Sequence, residues 1–169
     1  MNQADTVGSR RPGTILIVDD DVDELLLTQR VVAQVCPHLI IKGVLSGAEL
    51  IDYVKGDVKF SGLEEFPYPT LILLDLRMPG MHGFDVLAWL TTHPPYHEVP
   101  AVVLTGSGEV IVAQQAYALG ARSFLTKPLN PTELKHMMET IGHLKNECGQ
   151  PAEADAPAAK PVFQGHGQS

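Results

Sequence analysis

Residues 71–87 read LILLDLRMPGMHGFDVL. The opening run Leu71–Leu74 is apolar without alternation, as a strand buried on both faces requires. It stops on a charge, Asp75. Four more short runs, Ile15–Val18, Leu39–Val44, Ala101–Leu104 and Ser123–Leu125, read as strands of the same kind. Between them lie helical segments with recognisable ends. Ser46-Gly-Ala-Glu49 and Asn130-Pro-Thr-Glu133 each pair a capping side chain with a Glu three residues on, and Pro131 sits where a first-turn proline is tolerated. Leu134, Met137, Met138 and Ile141 form an apolar stripe, so both methionines read as core filler, and Gly120 reads as a left-handed helix stop. Five strands alternating with five helices predict an α/β domain, a parallel sheet with helices on both faces. The connection Gly56–Pro69 is long for such a fold, and its Phe60, Leu63, Phe66 and Tyr68 predict that it folds back onto the domain.

Composition bounds the rest. The chain has 169 residues, enough for one domain with ends, and 44% of them are hydrophobic, which excludes wholesale disorder. Twelve basic against 20 acidic side chains give a net charge of −8, which argues against nucleic acid as a partner. Apolar runs of four or five residues do not span a membrane, and Met1–Gly13 lacks the apolar stretch of a signal peptide. Cys36 and Cys148 match no disulfide framework and read as thiols in a reducing, cytoplasmic setting. The expected organisation is a loose leader (1–13), a domain (14–145) and an Ala/Pro-rich disordered tail (146–169) with no effector domain.

Parallel α/β sheets gather function at the carboxyl ends of their strands. Those ends carry Asp19-Asp20-Asp21, Asp75, Thr105 and Lys127. Each has a plain reading: Asp21 as the N-cap of the first helix with Glu24 at its third position, Asp75 as a turn residue, Thr105 as a cap, Lys127 as an exposed cation. Taken together these readings leave three carboxylates meeting at adjacent strand ends. Two unit charges ~4 Å apart repel by about 4 kcal/mol at an effective dielectric of 20. A divalent cation with hard oxygen ligands, Mg²⁺ above all, relieves that repulsion. An Asp beside Mg²⁺, with a hydroxyl and an ammonium, makes a phosphoryl-transfer site. Histidines 82, 93, 97, 136 and 143 show no metal spacing on one helix face.

ILIVDDD, LILLDLRMPGMHGFDVL, VVLTGSG and FLTKPLN, in that order and spacing, resemble the receiver domain of two-component response regulators, over about Thr14 to Lys145. The resemblance implies a flavodoxin-like (βα)5 sandwich of strand order 2-1-3-4-5. It implies that Asp75 is the phosphorylated aspartate and that Asp19, Asp20, Asp75 and the backbone carbonyl of Arg77 hold Mg²⁺, Asp20 directly and Asp19 mostly through water. It further implies that Thr105 is the switch hydroxyl, Phe124 the switch aromatic and Lys127 the family's lysine, with a cis Lys127-Pro128 bond. Asp21, a third successive acid, leaves the choice of pair dependent on register; the strand end at Val18 favours Asp19 and Asp20. Arg77 places a long cation over the acceptor, and Gly106 leaves the phosphoryl group accessible.

The implied function is a single-domain response regulator in phosphorelay signalling. A partner histidine kinase or phosphotransfer protein would supply the phosphoryl group, and the chain would catalyse only its own phosphorylation and dephosphorylation. Output would run through Val110–Leu119, Ser123–Leu125 and Thr132–His143, with Tyr117 or Met138 as an exposed apolar residue for a homodimer or kinase contact. The long connection and the LTGSG turn are similar to the small regulators that accompany phytochrome-type histidine kinases. Two other classes fit less well. A haloacid-dehalogenase-like phosphatase needs Asp-x-Asp-x-Thr/Val, and Asp23 stands where Thr or Val belongs. A flavin carrier needs a first loop that cradles phosphate, which three acids would repel.

Overall fold

The computed structural model describes residues 12–60, 65–106 and 110–141. Five strands, β1 (Thr14–Val18), β2 (Ile40–Val44), β3 (Leu71–Asp75), β4 (Ala101–Thr105) and β5 (Ser123–Thr126), form one parallel sheet in the order β2-β1-β3-β4-β5. Five helices alternate with them: α1 (Val22–Val35), α2 (Gly47–Lys55), α3 (Gly83–Thr92), α4 (Val110–Ala118) and α5 (Pro131–Thr140). This is the flavodoxin-like arrangement the motifs imply. The leader up to residue 11 and the tail 146–169 lie outside the described residues.

Strand side chains alternate between faces, so each strand feeds two cores. On one face Ile15, Ile17, Leu71, Leu73, Val102, Leu104 and Leu125 pack with Leu25 and Val32 of α1 and Leu134, Met137 and Met138 of α5. On the other, Leu16, Val18, Ile72, Leu74, Ala101 and Val103 pack with α2, α3 and Ala116 of α4. The same parity orients the strand ends. Asp75 shares the face of Leu71 and Leu73, whereas Thr105 shares the face of Ala101 and Val103.

Helix ends follow local chemistry. The Asp21 carboxylate accepts the N–H groups of Asp23 and Glu24, Ser46 caps α2, and Asn130 accepts from Thr132 and Glu133 ahead of Pro131. Gly120, at φ +96°, ends the α4 turn in the left-handed region that favours glycine. The expected start of β2 at Leu39 is one residue early, because the Leu39 N–H is held by the Cys36 carbonyl as α1 unwinds. Met138 is fully buried, which corrects its candidacy as an exposed contact residue: the α5 stripe consumes it. Cys36, read as a thiol, is buried and disulfide-bonded; Cys148 lies outside the described residues.

The long connection does fold back through Phe60 and Phe66, whereas Tyr68 stays exposed. Tyr53, Phe60 and Phe66 form a triangle of rings with centroids 5.2, 6.0 and 5.2 Å apart. The Tyr53 hydroxyl donates to the Pro67 carbonyl at 2.9 Å, and burial pushes its phenol up to about 12. Residues 61–64, Leu63 among them, are outside the described part.

Candidate functional site

Register brings the strand ends together. Val18 pairs with Leu74, so the residues that follow, Asp19 and Asp75, leave the sheet side by side. Asp75 pairs with Leu104 and Thr105 with Thr126, and the Lys127 N–H bonds the Thr105 carbonyl at 2.8 Å. Asp19, Asp75 and Thr105 are buried, while Asp20 is exposed at the mouth of the site. Carboxylate oxygens of Asp19, Asp20 and Asp75 lie within 4.8 Å of one another. Asp21, the third acid, turns away into its cap. Its carboxylate there accepts the Asp23 and Glu24 N–H groups at 2.9 and 3.2 Å.

Lys127 reaches back across this edge. Its Nζ stands 2.5 Å from Asp19 Oδ2, 3.5 Å from Glu24 Oε2 and 3.6 Å from Asp75 Oδ2. The Asp75 carboxylate also accepts the Arg77 N–H at 3.2 Å, and Asp19 accepts the Asp21 N–H at 3.0 Å. Burial raises the Asp75 carboxyl above its ordinary range. The Arg77 hydrogen bond and the Lys127 charge pull it back, and Asp19 and Asp20 push it further up. Burial opposes the Lys127 charge, yet the Asp19 hydrogen bond and the charges of Asp75, Asp19 and Glu24 raise its pKa overall.

The donor set fits a divalent cation: three carboxylates of hard oxygen, one buried to completion and one open to solvent, whose mutual repulsion the ammonium only partly offsets. The site opens into a cleft of about 490 Å³ lined by Glu24, Leu27, Thr28, Asp75, Arg77 and Lys127 among others. Gly106 also lines this cleft, and among the described residues an added Cβ there would meet nothing within 4 Å. The Lys127–Pro128 bond is cis.

Thr105 and Phe124 share a sheet face. Phe124 pairs with Val103, the residue two before Thr105, and its neighbour Leu125 points to the opposite core. Phe124 is partly exposed and meets Tyr117 of α4 edge-on, ring centroids 6.1 Å apart. Val110 and Ile111 are also exposed on α4.

Sequence reasoning missed the role of α1 as a cleft wall. It read Glu24 as a capping partner of Asp21, whereas the Glu24 carboxylate faces Lys127. A signal was present: Glu24, Leu27, Thr28 and Val31 recur at i, i+3, i+4 and i+7, one helix face, and all four line the cleft.

Comparison with known proteins agrees with this fold. Residues 15–139 match the response regulator receiver domain family. The chain is 32% identical over 135 residues to the response regulator Rcp1 of Synechocystis sp., covering 79% of this chain and 88% of that protein. It is 26% identical to the cyclic di-GMP phosphodiesterase response regulator RpfG of Xanthomonas campestris, of which it spans only 32%. Among solved structures, the bacteriophytochrome response regulator RtBRR superposes with a TM-score of 0.69 at 29% identity, covering 78% of each chain. The Mn²⁺-bound form of Rcp1 gives a TM-score of 0.64 at 27% identity, covering 76% of this chain and 94% of that one.

Proposed function

This chain belongs to the response regulator receiver domain family, and on that premise we propose that Asp75 accepts a phosphoryl group from a partner histidine kinase or phosphotransfer protein. The observation that carries the reading is the convergence of Lys127 Nζ on Asp19 and Asp75 beside Asp20 at an open cleft. An Asp75 oxygen attacks phosphorus, the bond from phosphorus to the donor's imidazole nitrogen breaks, and the electron pair leaves with that nitrogen. Asp19, Asp20, Asp75 and the Arg77 carbonyl would hold Mg²⁺. Bound there, the ion supplies neutralising charge to the phosphoryl oxygens. Lys127 supplies a second counter-charge and Thr105 a hydroxyl donor.

The donor protein approaches through the cleft mouth, where α1 leaves Leu27 exposed. Output runs through the face of α4 and β5, where Val110, Ile111, Tyr117 and Phe124 are exposed apolar side chains suited to a partner protein or a second copy. The chain then acts as a switch whose only chemistry is gain and loss of its own phosphoryl group. No helix among the described residues is long and apolar enough to cross a membrane. The test is intact mass after incubation with a small phosphodonor, with and without Mg²⁺. A gain of one phosphoryl mass that needs Mg²⁺ and vanishes in Asp75→Asn supports the reading; an undiminished gain in that variant overturns it.

A further inference from the structure

We infer that Glu24 is a positioning residue that holds Lys127 back from a phosphoryl group on Asp75 and so weakens the site's grip on that group. The inference rests on Asp75 being the acceptor. Three carboxylates converge on Lys127 Nζ, at 2.5 Å from Asp19, 3.5 Å from Glu24 and 3.6 Å from Asp75. Two of the three belong to the cluster whose charge a divalent cation would neutralise. Glu24 stands outside that cluster, so its hold on the ammonium survives metal binding. A phosphoryl group brings roughly two negative charges at neutral pH and needs that same ammonium. Glu24 competes for Lys127 and, from the wall of the same cleft, repels the incoming anion.

Helix capping does not account for the placement. The Asp21 carboxylate takes the N–H groups of Asp23 and Glu24, and the Asp21 N–H that a capping box would give to Glu24 goes to Asp19 Oδ1 at 3.0 Å, which leaves the Glu24 side chain outside the cap. Lys127 is mostly covered whereas Glu24 is half exposed, at 15% and 47% of their side-chain surfaces, so solvent tempers the pair without dissolving it.

Beryllofluoride, a phosphoryl mimic, tests this at saturating Mg²⁺ by calorimetry on the full chain. Glu24→Gln is expected to bind beryllofluoride about two- to fivefold tighter than wild type, the range of a partly exposed ion pair. That gain shrinks as salt is added. Mg²⁺ affinity should move the other way or stay level, because a nearby negative charge is lost. Glu24→Asp keeps the charge and should remain nearer to wild type. Equal beryllofluoride affinity in wild type and Glu24→Gln, or equal gains in Glu24→Gln and Glu24→Asp, would overturn the inference while leaving the acceptor assignment standing. If wild type binds no beryllofluoride with Mg²⁺ present, the acceptor assignment itself falls, and the role of Glu24 with it.

Discussion

Asp75 sits where its charge is poorly accommodated, and that has a measurable consequence. Burial is the main cause of its raised pKa, with Asp19 and Asp20 adding to it and the Arg77 N–H and Lys127 only partly offsetting it. An acid whose folded pKa lies above its unfolded value binds its proton more tightly in the folded state. Stability is therefore lost as pH rises from the ordinary aspartate range through the raised value. In metal-free buffer at neutral pH, Asp75→Asn should melt a few degrees above wild type, and the gap should close as pH falls through the carboxylate range. Mg²⁺ should reverse the order, since a ligand at 100 times its Kd stabilises by about 2.7 kcal/mol and the variant has lost one of its carboxylates. Thermal melts across pH, with and without Mg²⁺, check both signs. At this scale much of the site was legible, because Asp19, Asp75, Thr105 and Lys127 each follow an apolar run that names a strand end. Glu24 was not: its partner is more than a hundred residues away, and locally it looks like half of a capping box.

Elements set how rigidly the acceptor is held. Gly83 opens α3 directly against the β3 exit, its N–H on the Leu76 carbonyl at 3.2 Å. A Cβ there would lie 2.6 Å from the Asp75 carbonyl oxygen and 2.7 Å from the Leu76 Cα, both backbone atoms with no flexible end to yield. Gly83→Ala must push α3 off the acceptor loop, an overpacking that costs about 1–3 kcal/mol, or roughly 2–4 °C per kcal/mol for a chain of this size. Thermal melting should show that loss, and phosphorylation of Asp75 should slow, since its own carbonyl shifts. Asn130→Ala removes a cap with two acceptor bonds and should cost about 0.5–2 kcal/mol, read as a drop in melting temperature. Element order and most boundaries were readable from apolar runs and caps. The Gly83 contact was not, since close approach of two backbones leaves no trace in periodicity. The bond from the His82 N–H to the Asp85 carboxylate escaped for a different reason: histidine is not among the favoured N-caps.

Across the whole molecule, sheet parity puts the proposed acceptor and the proposed output face on opposite sides of the sheet, with Thr105 on the side of α4. Asp75 ends β3 on the α1/α5 face, whereas Thr105 and Phe124 point to the opposite face, beneath α4. Thr105 is bonded through its carbonyl to Lys127, so a hydroxyl drawn toward a phosphoryl group moves a side chain that faces α4 while its backbone stays fixed. Phe124 now lies partly exposed against Tyr117, an outward position with room to change. A ligand shifts such an equilibrium only by its differential affinity for the two arrangements, and in the proposed switch the Thr105 hydroxyl supplies the difference. Beryllofluoride with Mg²⁺ should therefore alter hydrogen exchange in two places: around Asp75, and across 110–126, where α4 and β5 carry the exposed apolar side chains. Thr105→Ala should separate the two, keeping protection near Asp75 and losing the change over α4 and β5. Native mass on the same samples shows whether the altered face pairs with a second copy. Protection changes confined to the Asp75 loop in wild type would mean that the face of α4 and β5 does not read the phosphoryl group. A Thr105→Ala protein that still responds there would shift the coupling to Lys127 and its backbone bond.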